Sequence, residues 1–220
     1  MIRFEPGPDR WKLGFKEAVL GNFEFLRKYG FRLARAEVTF VRYEMPWYSF
    51  KRRFYANVYH SRGGYELGFE TGPCDNDRQM VNLPWILRWA GYAEADKYFG
   101  EKTALCTHTK EGVQALVPKM AELVREYAEP FLRRDPDAYA SLNGMVEEAN
   151  AAFQARMDRL WEARHAARPA WQAKDYARVV ALYEPLVDDL TEGEKAKLAE
   201  AKKQLEARTT TAAKPNHGNE

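Results

Sequence analysis

Four side chains of metal-ligating type, His60, Cys74, Cys106 and His108, stand in the first half of this 220-residue chain. Two histidines and two cysteines make a set that zinc accepts. Cys106-Thr-His108 brings two ligand types within three residues, yet no Cys-x-x-Cys knuckle exists and the four positions fall in three different loops or strand ends. The expectation is therefore a small buried pair of reduced cysteines, two surface histidines, no metal and no cofactor. Carboxylates offer a second chemistry. Glu66 and Glu70 share one face of an extended run, with Asp75 and Asp77 in the loop beyond. Such pairs can hold Mg²⁺ or move protons. No lysine stands at a spacing that would complete a nuclease-like site, so a solvated sheet face is expected. Nucleophiles fare no better. Ser49, Ser61 and Ser141 lack a Gly-x-Ser-x-Gly context. Gly63-Gly64 lacks the Lys-Ser/Thr of a phosphate loop. Nothing in the spacing points to an enzyme.

The residues with the richest contact chemistry form a basic-aromatic ribbon, Trp47-Tyr-Ser-Phe-Lys-Arg-Arg-Phe-Tyr55, with Arg42, Tyr59 and Arg62 nearby. Trp, Tyr and Arg are the anchors of protein interfaces. The same residues can also stack bases and hold phosphates. The plainer reading is a hairpin with rings in the core and cations at the edge. The candidate partner-binding residues are Arg42, Trp47, Tyr48, Arg52, Arg53, Tyr55 and Tyr59. Trp85 with Trp89, and Trp161 with Trp171, could instead line a ligand pocket, although aromatics at helical spacing are usually core.

These residues need elements to position them. Phe31–Glu44, Phe54–His60 and Tyr65–Thr71 are β-rich runs separated by Pro46 and Gly63-Gly64, which predicts an antiparallel meander. Tyr65, Leu67 and Phe69 alternate with Glu66, Gly68 and Glu70, so one sheet face should be buried and the other wet. Residues 9–29 read as an amphipathic helix through Phe15, Val19, Phe23 and Leu26, opened by Asp9 and closed by Gly30. That helix should cover the buried face. Leu83–Trp89 reads as a short helix and residues 92–107 carry no clear period. Residues 109–129 return to helical spacing, with Pro118 as a kink or start. Arg133–Asp137 breaks the chain. Helices fill the remainder, with Val146, Ala149, Phe153, Leu160 and Trp161 as one stripe and Pro169 as an end or kink. Asp175 is the expected N-cap of Tyr176–Val187, and Thr191-Glu-Gly-Glu194 is a capping box.

The expected fold is α+β: an N-terminal helix packed on a small three- to four-stranded antiparallel meander, then helices and a C-terminal helical hairpin. The expected divisions are an α+β domain over 1–135, a helical region over 136–208 and a disordered tail over 209–220. Hydrophobic residues make up 45% of the chain, enough for a core, and 30% of residues are charged. No apolar run nears the ~20 residues that span a bilayer. Met1-Ile-Arg-Phe-Glu-Pro-Gly-Pro-Asp9 has no apolar leader segment. A cytoplasmic chain with reduced thiols and no membrane partner is expected. Residues 1–72 hold 13 Lys/Arg against 8 Asp/Glu, and 17 of the 30 aromatics, so the front of the chain is its contact-rich part. The excess of +5 is small for a committed nucleic-acid binder.

Two stretches resemble known families. Ala173-Lys-Asp-Tyr-Ala-Arg-Val-Val-Ala-Leu-Tyr-Glu-Pro-Leu-Val-Asp-Asp-Leu-Thr-Glu-Gly-Glu194 resembles the second half of a tetratricopeptide-like helical hairpin. One such unit implies a docked hairpin, since an array needs about three repeats. In the front half, Phe23-Glu-Phe-Leu-Arg-Lys-Tyr-Gly-Phe31, Val41-Arg-Tyr-Glu44 and Tyr65-Glu-Leu-Gly-Phe-Glu70 resemble uncharacterised bacterial proteins of the immunity type. That resemblance implies a non-enzymatic protein-binding module that neutralises a toxin domain. The alternative is a nucleic-acid-associated protein using residues 47–59. The oligomeric state is left open.

Overall fold

The computed structural model describes residues 10–45, 53–61, 65–75, 79–100 and 103–212, the last four by their backbone alone. Pro46, Gly63-Gly64, Asp9 and residues 213–220 lie outside the described residues. The fold is α+β, as the sequence predicts. The chain divides into two compact units, Met1–Glu147 and Glu148–Glu220.

In the first unit the predicted N-terminal helix is three short pieces. A 3-10 turn, Arg10–Leu13, leads to α1, Phe15–Asn22, and a second 3-10 turn, Glu24–Tyr29, follows. Gly14 sits at φ +68°, a left-handed conformation that a helix interior cannot hold, and this breaks the first piece from the second. Gly30, at φ +91°, closes the third piece and donates to the carbonyls of Arg27 and Leu26, as predicted. The apolar face survives the breaks: Phe15, Val19, Phe23 and Leu26 are all buried.

The sheet has five strands in a simple meander, one more than the upper expectation: β1 Arg32–Glu37, β2 Phe40–Glu44, β3 Phe54–His60, β4 Leu67–Pro73 and β5 Val81–Asn82. The run 31–44 is a hairpin, turning at Val38-Thr39 with neither residue at positive φ. Register assigns the two faces. Val41 opposes Val58, which opposes Phe69; Tyr43, Ala56, Thr71 and Val81 form the next row. All of these are buried. Helices cover this inner face. Phe23 stacks on Phe69 with centroids 6.2 Å apart. The cover is shared by α2, Leu83–Trp89, α3, Lys110–Tyr127, and α4, Glu129–Leu132. Asn82 caps α2 by accepting from the Trp85 N–H, and Thr109 caps α3 by accepting from the Gly112 N–H. Pro118 sits inside α3 without ending it. Gln114, whose carbonyl loses its partner there, is exposed, so water can take the bond. Within residues 92–107 a 3-10 turn covers Ala95–Tyr98, and Cys106 bridges to Glu66 beside β4.

α5, Pro136–Gln172, continues through Pro169 and passes from one unit into the other. The second unit has its own core. Leu160, Ala163, Ala167 and Ala170 of α5 meet Val179 and Tyr183 of α6, Tyr176–Tyr183, and Leu198 and Ala201 of α7, Glu192–Ala212. Asp175 caps α6 by accepting from the Arg178 N–H. Pro185 turns the expected end of that helix into a 3-10 segment, Glu184–Asp189. The Thr191–Glu194 capping box forms in both directions. α7 runs past the expected end at Arg208. The predicted α5 stripe is split: Leu160 is buried, whereas Phe153 and Trp161 are each 63% exposed.

Candidate functional site

The outer sheet face is built by the same register that builds the core. Three cross-strand rows line it. The first is Glu37, Phe40, Tyr59 and Gly68; the second is Arg35, Arg42, Asn57, Glu70 and Asn82; the third is Arg32, Glu44, Tyr55 and Gly72. Directly opposed side chains in such rows touch.

At the centre, the Arg42 guanidinium lies 4.5 Å from the centroid of the Tyr55 ring. Its Nε donates to Glu44 Oε1 at 2.6 Å, and its Nη2 reaches Cys74 Sγ at 3.7 Å. Arg42 is thus held on three sides, and Tyr55 beneath it is only 5% exposed. Beside them Asn57 Nδ2 donates to Glu70 Oε1 at 2.7 Å, while Asn57 Oδ1 is buried without a partner. Tyr59 lies across Gly68: a Cβ on Gly68 would stand 2.2 Å from Tyr59 Cζ. Burial, then the carboxylates of Glu70 and Glu66, push the Tyr59 phenol up. The ring therefore stays neutral and can donate a hydrogen bond at neutral pH.

Three predicted contact residues, Arg42, Tyr55 and Tyr59, share this face. Arg53 is exposed just before β3, and its carbonyl accepts from the Cys74 N–H at 2.7 Å. Trp47, Tyr48 and Arg52 lie outside the described residues. Phe40, Asn57, Glu70 and Asn82 were not predicted as contact residues. Alternation along β3 and β4 hints at them, but the rows that align them exist only once β2, β3, β4 and β5 pair.

The proposed ligand types do not assemble. His60 lies at the end of β3 that pairs with Leu67, near Cys106 and His108. Cys74 follows the opposite end, where Phe54 pairs with Pro73. The expected buried cysteine pair and surface His60 do not hold: Cys106 is exposed, Cys74 is half-buried, and His60 is buried, stacks on Phe15 and donates from Nε2 to the Thr107 carbonyl at 2.9 Å. Burial lowers its pKa, so the ring is a neutral structural strut. Among the described residues, no group of three or more His, Cys, Asp or Glu is arranged to hold a metal ion. Burial also raises the Cys74 thiol, against the pull of Arg42, which disfavours a thiolate. Ser141 Oγ accepts from Trp89 Nε1 at 3.1 Å. Ser49 and Asp77 lie outside the described residues.

The tryptophan pairs part company. Trp85 packs edge-on to Phe99 and lines a cleft of about 210 Å³ that also touches Tyr59, Glu66 and Asn82. Trp89 packs on Phe131 in the first core. Trp171 walls a groove of about 380 Å³ in the second unit, with Arg168 and Lys197 on the rim and Val179 and Tyr183 below. Trp161 stands in solvent. Among the described residues, no helix is long and apolar enough to cross a membrane. No family model, no curated protein and no solved structure matches the chain.

Proposed function

We propose that this chain is a non-enzymatic module that binds another protein on the outer face of its sheet. The observation that carries the reading is the Arg42–Tyr55 stack, tied down by Glu44 and flanked by Tyr59. Binding pays an entropic cost for each side chain it immobilises, and here the Arg and Tyr anchors are ordered in advance. Arg and Tyr are also the residue types that carry interface energy. The most specific form of the proposal is cytoplasmic neutralisation of a toxin domain, with the sheet face covering the partner's active site. It rests on the resemblance of Phe23–Phe31, Val41–Glu44 and Tyr65–Glu70 to immunity-type proteins.

The alternative, nucleic-acid association through residues 47–59, gains less from this face. Arg35 is paired with Glu37 and Arg42 with Glu44, so these two arginines are neutralised within their own strands. Phosphate binding needs uncompensated cations.

The test is affinity purification of the tagged chain from its own cells, followed by titration of whatever stoichiometric partner is found. Arg42→Ala and Tyr59→Ala should each weaken that complex by roughly 30-fold, the scale of an interface anchor, with the melting temperature checked in parallel. Full affinity in both variants would remove the sheet face as the interface. Recovery of nucleic acid instead, with binding that falls steeply as salt rises, would favour the alternative.

A further inference from the structure

α5 carries an apolar stripe that no other element covers among the described residues. Phe153 and Trp161 are each 63% exposed, and Met157 between them is 39% exposed. Spacings of i, i+4 and i+8 put the three on one side of the helix. No residue from Glu147 to Arg159 is buried, and Arg156 ties one side of this stretch to Asp189, which leaves the side with Phe153 and Trp161 open among the described residues. A solvated connecting helix needs polar residues all round. Two large rings and a methionine in register do not serve that purpose, and a contiguous exposed apolar stripe marks an interaction site.

We infer that α5 is a self-association surface, through which two copies of this chain pair antiparallel about a two-fold axis at Met157. A two-fold contact uses the same patch on both copies, so the patch must complement itself. This stripe does. Phe153 and Trp161 are each four residues from Met157, so reversing the partner helix sets Phe153 of one copy against Trp161 of the other. The two Met157 side chains then meet on the axis, where a flexible thioether fills the space between rings. The charges along α5 are also complementary in that direction. Glu147 stands at one end of the stripe and Arg168 at the other, while Arg164 is already bound to Glu194. Antiparallel pairing sets the acidic end of each copy beside the basic end of its partner, whereas parallel pairing would stack like on like. Glu147 and Arg168 lie on the stripe side of the helix and come opposite each other.

Size sets the strength. At roughly 150–250 Å² per aromatic side chain, the two exposed rings offer some hundreds of Å² per copy. A stable interface takes about 800 Å² from each partner. The stripe is therefore the centre of a contact whose rim comes from the flanking turns of α5, and the dimer should be concentration-dependent. This inference is independent of the outer sheet face.

Sedimentation velocity on the full chain over a concentration series tests it. The wild type should pass from monomer to dimer. Trp161→Glu should raise the dissociation constant by about 30-fold or more, as loss of a central aromatic anchor does, with an unchanged far-UV circular dichroism spectrum. Glu147→Arg and Arg168→Glu should each weaken the dimer several-fold, and the two together in one chain should restore it. A wild type that stays monomeric at every concentration overturns the inference, whether or not another protein seats on Trp161. So does a dimer indifferent to Trp161→Glu. Failure of the doubly reversed chain to recover overturns the antiparallel arrangement.

Discussion

Glu194 joins two tasks in one carboxylate. It accepts from Arg164 Nε and Nη2 at 2.6 and 2.9 Å, and from the Thr191 N–H and hydroxyl at 2.8 Å each. The Arg164 hydrogen bonds first, and the Thr191 donors after them, hold its pKa down at about 2, against an ordinary 4.5. The sign of the consequence follows from proton linkage. The unfolded chain takes up this proton at higher pH than the folded one, so the contribution is whole above 4.5 and drains away as pH falls through about 2. Denaturant titrations of the wild type and Glu194→Gln should therefore show a stability gap at pH 7 that narrows between pH 4.5 and 2. A gap of constant size across that window would show that the ion pair contributes nothing beyond the cap. Both the Thr191–Glu194 box and the Asp175 cap are legible as local spacing. Arg164 is not: it stands thirty positions away on α5, and only the packing of α5 against α7 delivers it.

At the scale of elements, the sequence is clearest where a side chain acts on its neighbours. α2 occupies the predicted Leu83–Trp89, and Gly30 ends its turn as expected. The hairpin Arg32–Glu44 is illegible for a stated reason. Its turn is Val38-Thr39, two β-branched residues without the Gly, Asn or Asp that marks a two-residue loop. The run reads as one strand, and with it the pairing that sets Arg35 against Arg42 and Glu37 against Phe40 is lost. Gly68 offers a direct test of how β3 and β4 fit. A methyl group there would enter the Tyr59 ring. Gly68→Ala should cost on the order of 1–3 kcal/mol, as overpacking does. In a Tyr59→Ala background most of that cost should disappear, because the occupant of the space is gone. An equal cost in both backgrounds, read from a double-mutant cycle, would place the strain elsewhere.

At the scale of the molecule, the buried residues fall into two clusters, one within each compact unit. Leu87 belongs to the first and Leu198 to the second. Truncating either to alanine should cost about 2–5 kcal/mol within its own unit. Hydrogen exchange should then show Leu198→Ala loosening the amides of α6 and α7 while the β3–β4 amides keep their protection, and Leu87→Ala the reverse. Loss of protection in both units from one substitution would show a single cooperative body.

The sequence by itself determined whatever depends on short range: the α+β class, the alternation of β4, and the caps of α6 and α7. These are decided by residues a few positions apart, whose periodicity and hydrogen bonding act before any distant contact forms. The tertiary structure alone decided which distant residues share a surface. It separated Cys74 from His60 by the length of a strand pair, and gathered Arg42, Tyr55 and Tyr59 on one face. It buried Leu160 and left its neighbour Trp161 in water. Burial is a property of what packs on a side chain from elsewhere in the chain. Helical spacing gives the faces of α5, but not which of them another element will cover.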